Sequence, residues 1–396
     1  MSSKSDKKKP LMPRLRFPEF REAGAWEVKR LGGIGSVSMC KRILKSQTSE
    51  SGDIPFYKIG TFSKQADAFI ENKIYEEFKE KYSFPNKGDI LISASGTIGR
   101  TVVYDGKPAY FQDSNIVWIA NNENILLNAF LYYCYKTIQW QTDDNTISRL
   151  YNDNLRKMKI VVPPIPEQQK IAHCLSSLDE VIGLQAKKVQ ALKQHKKGLM
   201  QQLFPAEGET TPHLRFPEFR EAGAWEVKRL GDVCVIRTGK KDANEGHENG
   251  IYPFFTCAEN HIYSNSHSFD CEAILVAGNA NVGQTKHYRG KFEAYQRTYV
   301  LTDFSDINTQ YLYSYLGGNL QNDMALQVQT SAMSYIKLPM LKNYKVPAPR
   351  NPTEQQKIAH CLSSLDEVIG LESHKLDALK NLKKGLMQQL FPQEVA

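Results

Sequence analysis

Residues 167–205 read EQQKIAHCLSSLDEVIGLQAKKVQALKQHKKGLMQQLFP, and residues 354–392 read EQQKIAHCLSSLDEVIGLESHKLDALKNLKKGLMQQLFP. In both copies, steps that alternate between four and three residues meet apolar side chains at eight of ten positions. An apolar seam with a period of about 3.5 residues, held over several heptads, is typical of a coiled coil. The seam residues that carry this prediction are Ile171, Leu175, Leu178, Ile182 and Leu192 in the first copy, and Ile358, Leu362, Leu365, Ile369 and Leu379 in the second.

Prolines cluster before both copies, and Pro205 and Pro392 close them. Because proline is tolerated at a helix start and blocks its continuation, we predict two long helices over residues 166–205 and 353–392. At about 1.5 Å per residue, each would be roughly 55 Å long. One such helix cannot bury its seam alone, so we expect the two helices to pair. The near-identity of the copies favours an antiparallel coiled coil with a pseudo-twofold internal repeat. The alternative is that each helix packs only on its own domain.

Polar residues interrupt the seam at equivalent places, namely Gln185 and Lys196 in the first copy and Glu372 and Lys383 in the second. Polar seam residues can set the register of a coiled coil. Solvent-facing positions near the helix ends are an equally good interpretation.

A shorter repeat, LRFPEFREAGAWEVKRLG, occupies residues 15–32 and again residues 214–231 without a difference. Each short repeat is followed by a variable segment and then by a long repeat. We therefore predict an α+β protein with two mixed α/β domains joined by the two helices. The predicted parts are a disordered basic tail (1–13), a first recognition domain (14–165), a first long helix (166–205), a linker with a second recognition domain (206–352), a second long helix (353–392) and a short tail (393–396).

The variable segments look like diverged copies of one fold. Each has a strand, a turn of small residues and a second strand, and Gly99 and Gln112 match Gly283 and Gln296 at a common offset of 184. Helices are expected over 128–137 and 310–316. The glycine turn lacks Gly-x-x-x-x-Gly-Lys-Ser/Thr, so a tight hairpin is favoured over a nucleotide-binding loop.

Polar side chains near these turns are the candidate DNA contacts. Asn and Gln can read adenine, Arg and Lys can read guanine, and hydroxyl groups bind phosphates. Any one of them could equally be a plain surface residue. The candidates are Lys41, Arg42, Lys45, Lys58, Lys64, Ser93, Ser95, Thr97, Arg100, Arg149 and Tyr151 in the first segment, and Lys240, Lys241, Asn279, Asn281, Gln284, Lys286, Arg297 and Tyr335 in the second.

Composition limits the class of protein. The 396 residues carry a net charge of +8, which suits a polyanionic partner without requiring one. Seven widely spaced cysteines predict no disulfide framework and favour a cytoplasmic protein. The run from Cys257 to Cys271 matches no common zinc spacing, so no metal is predicted. No stretch approaches the roughly 18 apolar residues of a membrane span.

Three motifs together give a resemblance. They are Trp-Glu-Val-Lys-Arg-Leu-Gly at Trp26 and Trp225, Gly-Asp-Ile-Leu at Gly88 with its Gly-Thr-Ile-Gly turn, and Pro-x-x-Glu-Gln-Gln-Lys-Ile at Pro164. The second helix start keeps its proline one place later, at Pro352. From about Leu15 to Pro392 the chain resembles the specificity subunits of type I restriction–modification systems.

The resemblance implies a non-catalytic subunit whose two domains each read half of a bipartite site on double-stranded DNA. The helix pair would fix the spacer between the halves. Two methyltransferase subunits, which bind S-adenosylmethionine and methylate adenine at N6, would dock on the repeated regions. Motor-nuclease subunits that use ATP and Mg would add restriction, so this chain itself is expected to hold no cofactor.

The sequence argues against two other functions. An adenine methyltransferase needs an Asn/Asp-Pro-Pro-aromatic loop, and the nearest match, Asn351-Pro352-Thr353-Glu354, lacks the second proline and the aromatic residue. Nuclease and helicase motifs are absent from the sequence as well. A coiled-coil scaffold with no DNA role is the other alternative, and the dissimilar variable segments argue against it.

Overall fold

The computed structural model describes residues 11–138, 140, 149–329 and 335–392. The chain forms two compact units. Unit 1 contains Met1–Gly183 and Asp377–Ala396, and unit 2 contains Leu184–Leu376. Each unit therefore combines one variable domain, the beginning of the long helix that follows it and the end of the other long helix. The domain limits predicted from sequence followed chain order, whereas the compact units do not.

The two long helices, fourth and eighth in chain order, are α4 (Ile165–Leu203) and α8 (Pro352–Leu390). Both begin one residue before the predicted start and end two residues before the predicted end. Residues 1–10 and 393–396 of the predicted tails lie outside the described residues. Leu11 is no part of a disordered tail, because its carbonyl accepts a hydrogen bond from Trp26 N (2.9 Å) and its side chain packs against the core.

Unit 1 is built around a four-stranded sheet of order β2-β8-β5-β6, a three-stranded sheet of order β4-β3-β7 and the antiparallel pair β1-β9. Its elements are β1 (Glu27–Arg30), β2 (Gly35–Ser38), β3 (Ile54–Tyr57), β4 (Phe69–Ile70), α1 (Asn72–Lys81), β5 (Ile90–Ser93), β6 (Thr101–Val103), β7 (Tyr110–Phe111), β8 (Ile116–Asn121), α2 (Asn128–Thr137), α3 (Asn152–Lys157) and β9 (Lys159–Val162).

Strand β5 explains why the first variable segment contains an unbroken apolar run. Successive side chains of a strand point to opposite faces of the sheet. Ile90 and Ile92 face a core that contains Trp26, while Leu91 faces a second core that contains Trp118. A strand covered on both faces is apolar throughout, as this one is.

Unit 2 has one six-stranded sheet of order β11-β16-β14-β15-β12-β13 and the antiparallel pair β10-β17. Its elements are β10 (Glu226–Arg229), α5 (Leu230–Val233), β11 (Val235–Thr238), β12 (Tyr252–Phe255), β13 (Ile262–Ser264), β14 (Phe269–Ala277), β15 (Thr285–Ala294), β16 (Thr298–Thr302), α6 (Thr309–Gln329), α7 (Leu338–Lys342) and β17 (Lys345–Ala348). Helix α2 has the predicted limits, whereas α6 continues well beyond the predicted 310–316.

The glycine turn is the same hairpin in both units. Gly99 and Gly283 have positive φ angles of 80° and 79°. Their amides donate to Ser93 O (3.0 Å) and Ala277 O (2.9 Å) at the common offset of 184. The two variable segments are therefore versions of one fold, and the prediction of a hairpin at this turn is confirmed.

Within each unit, α4 and α8 run antiparallel. In unit 2, Gln185 Nε2 donates to the Glu372 carbonyl oxygen (2.9 Å), and Lys196 Nζ lies 2.5 Å from Asp366 Oδ1. Residue numbers thus fall along α8 as they rise along α4. In unit 1, Lys383 pairs with Asp179. All four polar interruptions of the seam contact the facing helix, which supports the register interpretation.

The predicted seam is buried or half-buried along both helices. Ile171 and Leu175 lie in the same core as Leu390. Ile358 and Leu362 lie in the same core as Leu203. The ends of the seam therefore pack on a domain as well as on the facing helix. The alternative that each helix packs only on its own domain is wrong, because α4 and α8 contact each other within each unit.

Candidate nucleic-acid interface

A buried ion pair joins each short repeat to the long helix behind it. The Arg16 guanidinium donates to both carboxylate oxygens of Glu167 at 2.7 Å, and Trp26 Nε1 donates to Glu167 Oε1 at 3.3 Å. Unit 2 repeats this geometry with Arg215, Trp225 and Glu354 at 2.7, 2.8 and 3.3 Å. The side chains of Arg16 and Glu167 are only 5% and 1% exposed. This Arg–Glu–Trp anchor explains why both repeats keep the same residues.

The glutamine after each anchor glutamate fixes the helix of the variable domain. Gln168 Oε1 accepts from Leu127 N (2.8 Å), and its Nε2 donates to Pro163 O (2.8 Å). Gln355 Oε1 accepts from Asn308 N (2.7 Å) in the same way. Sequence reasoning missed these buried polar residues, although their identity between the two copies was a visible signal.

Asp89 of the Gly-Asp-Ile-Leu motif has a local structural role. It accepts hydrogen bonds from Asn86 N (2.8 Å) and Asn128 Nδ2 (3.2 Å). Burial raises the pKa of the Asp89 carboxyl group, and these two hydrogen bonds oppose that shift. The motif thus ties the start of β5 to α2.

In unit 1, three loops meet at the end of the β5–β6 hairpin. Arg100 donates to Ile59 O (3.0 Å) and Phe62 O (3.4 Å). Arg149 donates to Ser114 O (3.3 Å), and Ser95 Oγ donates to Asn115 Oδ1 (2.9 Å). We call this set, formed by residues 58–64, 94–100 and 112–115 with Arg149, the first loop cluster.

The structure corrects the prediction for Ser93, whose side chain is fully buried. Its Oγ donates to Thr97 O (2.5 Å) and accepts from Arg100 N (2.9 Å), so its hydrogen-bonding capacity is used inside the turn. A small hydroxyl residue that closes a turn has the same sequence signal as one that contacts a ligand. Ser93 is therefore not available to DNA.

The other candidates of unit 1 lie at or near the surface. Arg42 pairs with Asp113 (2.8 Å) and Lys58 pairs with Asp67 (2.9 Å). Arg42, Lys45 and Lys58 together line a cleft of about 410 Å³. The remaining exposed candidates are Lys41, Lys45, Lys64, Thr97 and Tyr151.

Unit 2 has a matching second loop cluster, formed by residues 256–260, 278–284 and 295–297 with Tyr335. Lys286 Nζ donates to Ala258 O (2.7 Å), and Asn281 Nδ2 donates to Cys257 O (3.0 Å). Burial lowers the pKa of the Lys286 ammonium group. The Arg297 guanidinium lies 5.7 Å from the Tyr335 ring centroid.

Three candidates of unit 2 differ from the prediction in their surroundings. Lys241 Nζ donates to Ser264 Oγ (3.0 Å) and lies 3.5 Å from the buried carboxylate of Glu293, so it mainly supports the fold. Gln284 lines a cleft on the side of the long helices. Asn279 Oδ1 is buried and has no hydrogen-bond partner among the residues that the structure describes. Lys240 is exposed.

Each of the seven cysteines is a free thiol. Within the described ranges, no group of three or more His, Cys, Asp or Glu side chains could hold a metal ion. None of the described helices is both long and apolar enough to cross a membrane.

A model of the type I restriction modification DNA specificity domain matches residues 24–194 and 223–381, once for each repeat. The chain belongs to this family. As expected for a type I specificity protein, each match runs from the anchor tryptophan region into a long helix. The resemblance stated from the sequence motifs is thereby confirmed.

Individual relatives of this family match different parts of the chain. A putative type I restriction enzyme specificity subunit from Haemophilus influenzae is 60% identical over 154 residues, which cover 39% of this chain and 40% of the relative. The EcoDI specificity subunit from Escherichia coli is 37% identical over 167 residues, which cover 42% of this chain and 37% of the relative. The MjaVIII specificity subunit from Methanocaldococcus jannaschii is 25% identical over 95% of this chain and 93% of the relative. The two higher-identity matches thus span less than half of the relatives' lengths.

Solved structures show the same fold at low sequence identity. The crystal structure of a type I restriction–modification S subunit from M. genitalium superposes with a TM-score of 0.69 at 17% identity, over 97% of this chain and all of that one. A chain from a structural study of type I complex assembly and conformational transition gives a TM-score of 0.53 at 16% identity, over 93% and 98%.

Proposed function

We propose that this chain is the DNA-specificity subunit of a type I restriction–modification complex and that each loop cluster reads one half of a bipartite target on double-stranded DNA. One observation carries the proposal. The same Arg–Glu–Trp anchor holds two domains of one fold whose loop clusters present different side chains. An identical frame with different loops is what a protein needs to bind two different short sequences in one way.

The loop clusters are suited to DNA because their backbones are fixed while charged and amide side chains remain at the surface. Arg100 and Lys286 brace the loops through carbonyl oxygens. The exposed lysines Lys45, Lys64 and Lys240 can contact phosphates, which supplies affinity without sequence preference. Base contacts then come from neighbouring loop residues such as Arg297 and Thr97.

We also propose that the helix pair sets the distance between the two half-sites. Gln185, Lys196 and Lys383 bond across the pair to Glu372, Asp366 and Asp179, respectively, and these contacts fix the register. Two readers that are held rigidly must match the DNA repeat of roughly 34 Å per turn. A change in helix length should therefore change the length of the tolerated spacer.

Exposed apolar side chains on the long helices offer a surface for partner subunits. Val181 and Leu184 are 47% and 60% exposed, and their counterparts Val368 and Leu371 are 42% and 71% exposed. We propose that two adenine-N6 methyltransferase subunits dock over the repeated regions and that motor-nuclease subunits join them. The partners would bind S-adenosylmethionine, ATP and Mg, and this chain would contribute no catalytic group. The complex would act in the cytoplasm.

Sequencing of methylated adenines in the host genome tests the proposal directly. Replacing residues 33–160 by the corresponding segment of another specificity protein should change one half of the methylated motif and leave the other half unchanged. Exchange of residues 232–346 should do the reverse. If either exchange changed both halves, or left the motif as it was, independent reading by the two domains would be wrong.

The spacer role needs a separate experiment. Four residues inserted into each of α4 and α8 should shift the preferred spacer, since the insertion lengthens the helix pair. The matched control places the same four residues in the connection 206–213. If the helix insertions gave an active enzyme with the original spacer, the helices would not set the distance.

The salt dependence of DNA binding distinguishes lysines that contact phosphates from residues that read bases. Lys64→Ala should weaken binding to all sequences alike and reduce the slope of affinity against salt concentration by about one unit. If Arg297 reads a base, the Arg297→Ala variant should instead relax the motif at one position. A Lys64→Ala variant with an unchanged salt slope would remove this residue from the interface.

A further inference from the structure

In unit 1, a tyrosine fills the space between the domain helix and the long helices. The Tyr133 hydroxyl donates to Asp179 Oδ2 (2.9 Å). Lys383 pairs with the same carboxylate, and its Nζ lies 5.4 Å from the centroid of the Tyr133 ring. The phenol therefore satisfies a carboxylate with its hydroxyl group and an ammonium group with its ring face.

The equivalent place in unit 2 can be located from the anchors. Gln168 binds Leu127 N and Gln355 binds Asn308 N, so α2 and α6 begin at matching points. Phe130 and Tyr311 then pack edge-on against the two anchor tryptophans. Three residues further along, Tyr133 therefore corresponds to Ser314, and six residues along, Lys136 corresponds to Gly317.

The carboxylate and the ammonium group are present in unit 2, but the counterpart of the Tyr133 ring is not. Lys196 Nζ lies 2.5 and 2.6 Å from the Asp366 carboxylate oxygens, as expected for the counterparts of Lys383 and Asp179. Ser314 is only 5% exposed, and its Oγ has no hydrogen-bond partner among the described residues. Gln284 Oε1 is buried as well and also has no hydrogen-bond partner among the described residues.

These groups line one cleft of about 680 Å³, together with Tyr313 and Gly317. A cavity of roughly 150 Å³ is enough for a benzene ring in a protein core, so an aromatic ring fits here. An unpaired buried hydroxyl group is uncommon in a folded protein and indicates a place where another polar group binds. Unit 2 has serine and glycine where unit 1 has tyrosine and lysine, and these smaller side chains leave the cleft open.

We propose that this cleft binds a phenol group in the place that Tyr133 fills in unit 1. The phenol hydroxyl donates to Asp366, the Lys196 ammonium group faces the ring, and Ser314 Oγ gains a polar neighbour. The phenol comes either from a small molecule or from a tyrosine side chain of a partner protein. This site lies on the long-helix side of the domain, where Gln284 at the end of the second loop cluster borders it, and binding of a phenol there goes beyond the proposed reading of DNA.

The probe for the test is p-cresol, which is the side chain of tyrosine as a free molecule. Titration of the full chain, followed by NMR or calorimetry, should give a Kd on the order of 1 mM at a single site. Toluene lacks the hydroxyl group and should bind at least about tenfold more weakly, since it leaves polar groups of the cleft unpaired.

Two variants identify the site. Ser314→Tyr restores the residue of unit 1 and should abolish p-cresol binding. Gly317→Lys, which restores the counterpart of Lys136, should weaken it and serves if the first variant does not fold. Tyr133→Phe in unit 1 is the matched control and should leave the affinity unchanged. Absence of p-cresol binding, equal binding of toluene, or undiminished binding to Gly317→Lys would each overturn the proposal.

A second arm separates the two sources of the phenol. The titration is repeated with the chain in complex with its methyltransferase subunit. If a partner tyrosine occupies the cleft, p-cresol binding is lost in the complex and Ser314→Tyr weakens complex formation. If the natural ligand is a small molecule, p-cresol binds the complex and the free chain alike.

Discussion

Replacing Glu167 by alanine would leave a guanidinium group without an anionic partner inside unit 1, with the Ala23 carbonyl oxygen as its remaining acceptor. Arg16 and Glu167 share two hydrogen bonds of 2.7 Å, and their side chains are 5% and 1% exposed. The Glu167 hydrogen bonds raise the pKa of Arg16, so the arginine keeps its charge at any ordinary pH. Trp26 Nε1 loses its acceptor in the same variant.

The expected cost follows from the loss of one partner of a buried pair. Breaking such a pair by removing one member typically costs about 3–5 kcal/mol, because the remaining charge stays buried and unpaired. The unfolding free energy of a domain is about 5–15 kcal/mol. Glu167→Ala should therefore remove a large part of the stability of unit 1.

Hydrogen exchange read by mass spectrometry is the suitable assay because it reports on the two units separately. Glu167→Ala should raise exchange in peptides of unit 1, whereas Glu354→Ala, which breaks the equivalent pair with Arg215, should raise exchange in unit 2. The double variant Arg16→Met/Glu167→Leu should recover most of the loss, since a buried ion pair can often be replaced by apolar residues. A cost below about 1 kcal/mol for Glu167→Ala would contradict this reasoning.

Three further predictions concern single groups. Hydrogen bonds from Lys188 and Gln185 hold the pKa of Glu372 below its ordinary value near 4.5. The stability that these bonds supply is complete above that pH and is lost as the pH falls through the lowered pKa. In the Glu372→Gln variant, the urea concentration at half-unfolding should therefore depend less on pH over that acidic range. Gly283→Ala should destabilise unit 2 by about 1–3 kcal/mol in urea titrations, because the φ angle of Gly283 is 79° and the new Cβ would lie 2.8 Å from Gln321 Cα in α6. Burial raises the pKa of the Cys40 thiol to about 12, so iodoacetamide at pH 8 should alkylate the half-buried Cys174 well before Cys40, as peptide mapping would show.

The sequence predicted the regular parts of this protein well because their signals are local and repeated. The seam period and the flanking prolines located α4 and α8 to within two residues. The common offset of Gly99 and Gly283 identified two domains with one fold before any strand pairing was known. A glycine with positive φ at the end of a hairpin is a strong signal, since few other residues adopt that conformation.

The anchors could not be predicted, although every residue in them was visible. Arg16 and Glu167 are 151 positions apart, and neither has a local pattern that distinguishes a buried charge from an exposed one. Pairing of this kind depends on which surfaces the fold brings together. The same limit applies to Lys241, whose neighbour Glu293 is buried in a distant strand.

The differences between the two long helices also follow from their packing. All seven positions at which the copies differ lie within residues 185–195 and their counterparts 372–382. In an antiparallel pair of equal helices, a residue meets its own counterpart only near the midpoint of the contact. Gln185 and Glu372 are counterparts, and Gln185 Nε2 donates to Glu372 Oε2 (2.6 Å). Two glutamates there would place like charges together, whereas an amide facing a carboxylate supplies a donor for an acceptor. The midpoint is thus a place where identical copies would conflict, and the copies differ there.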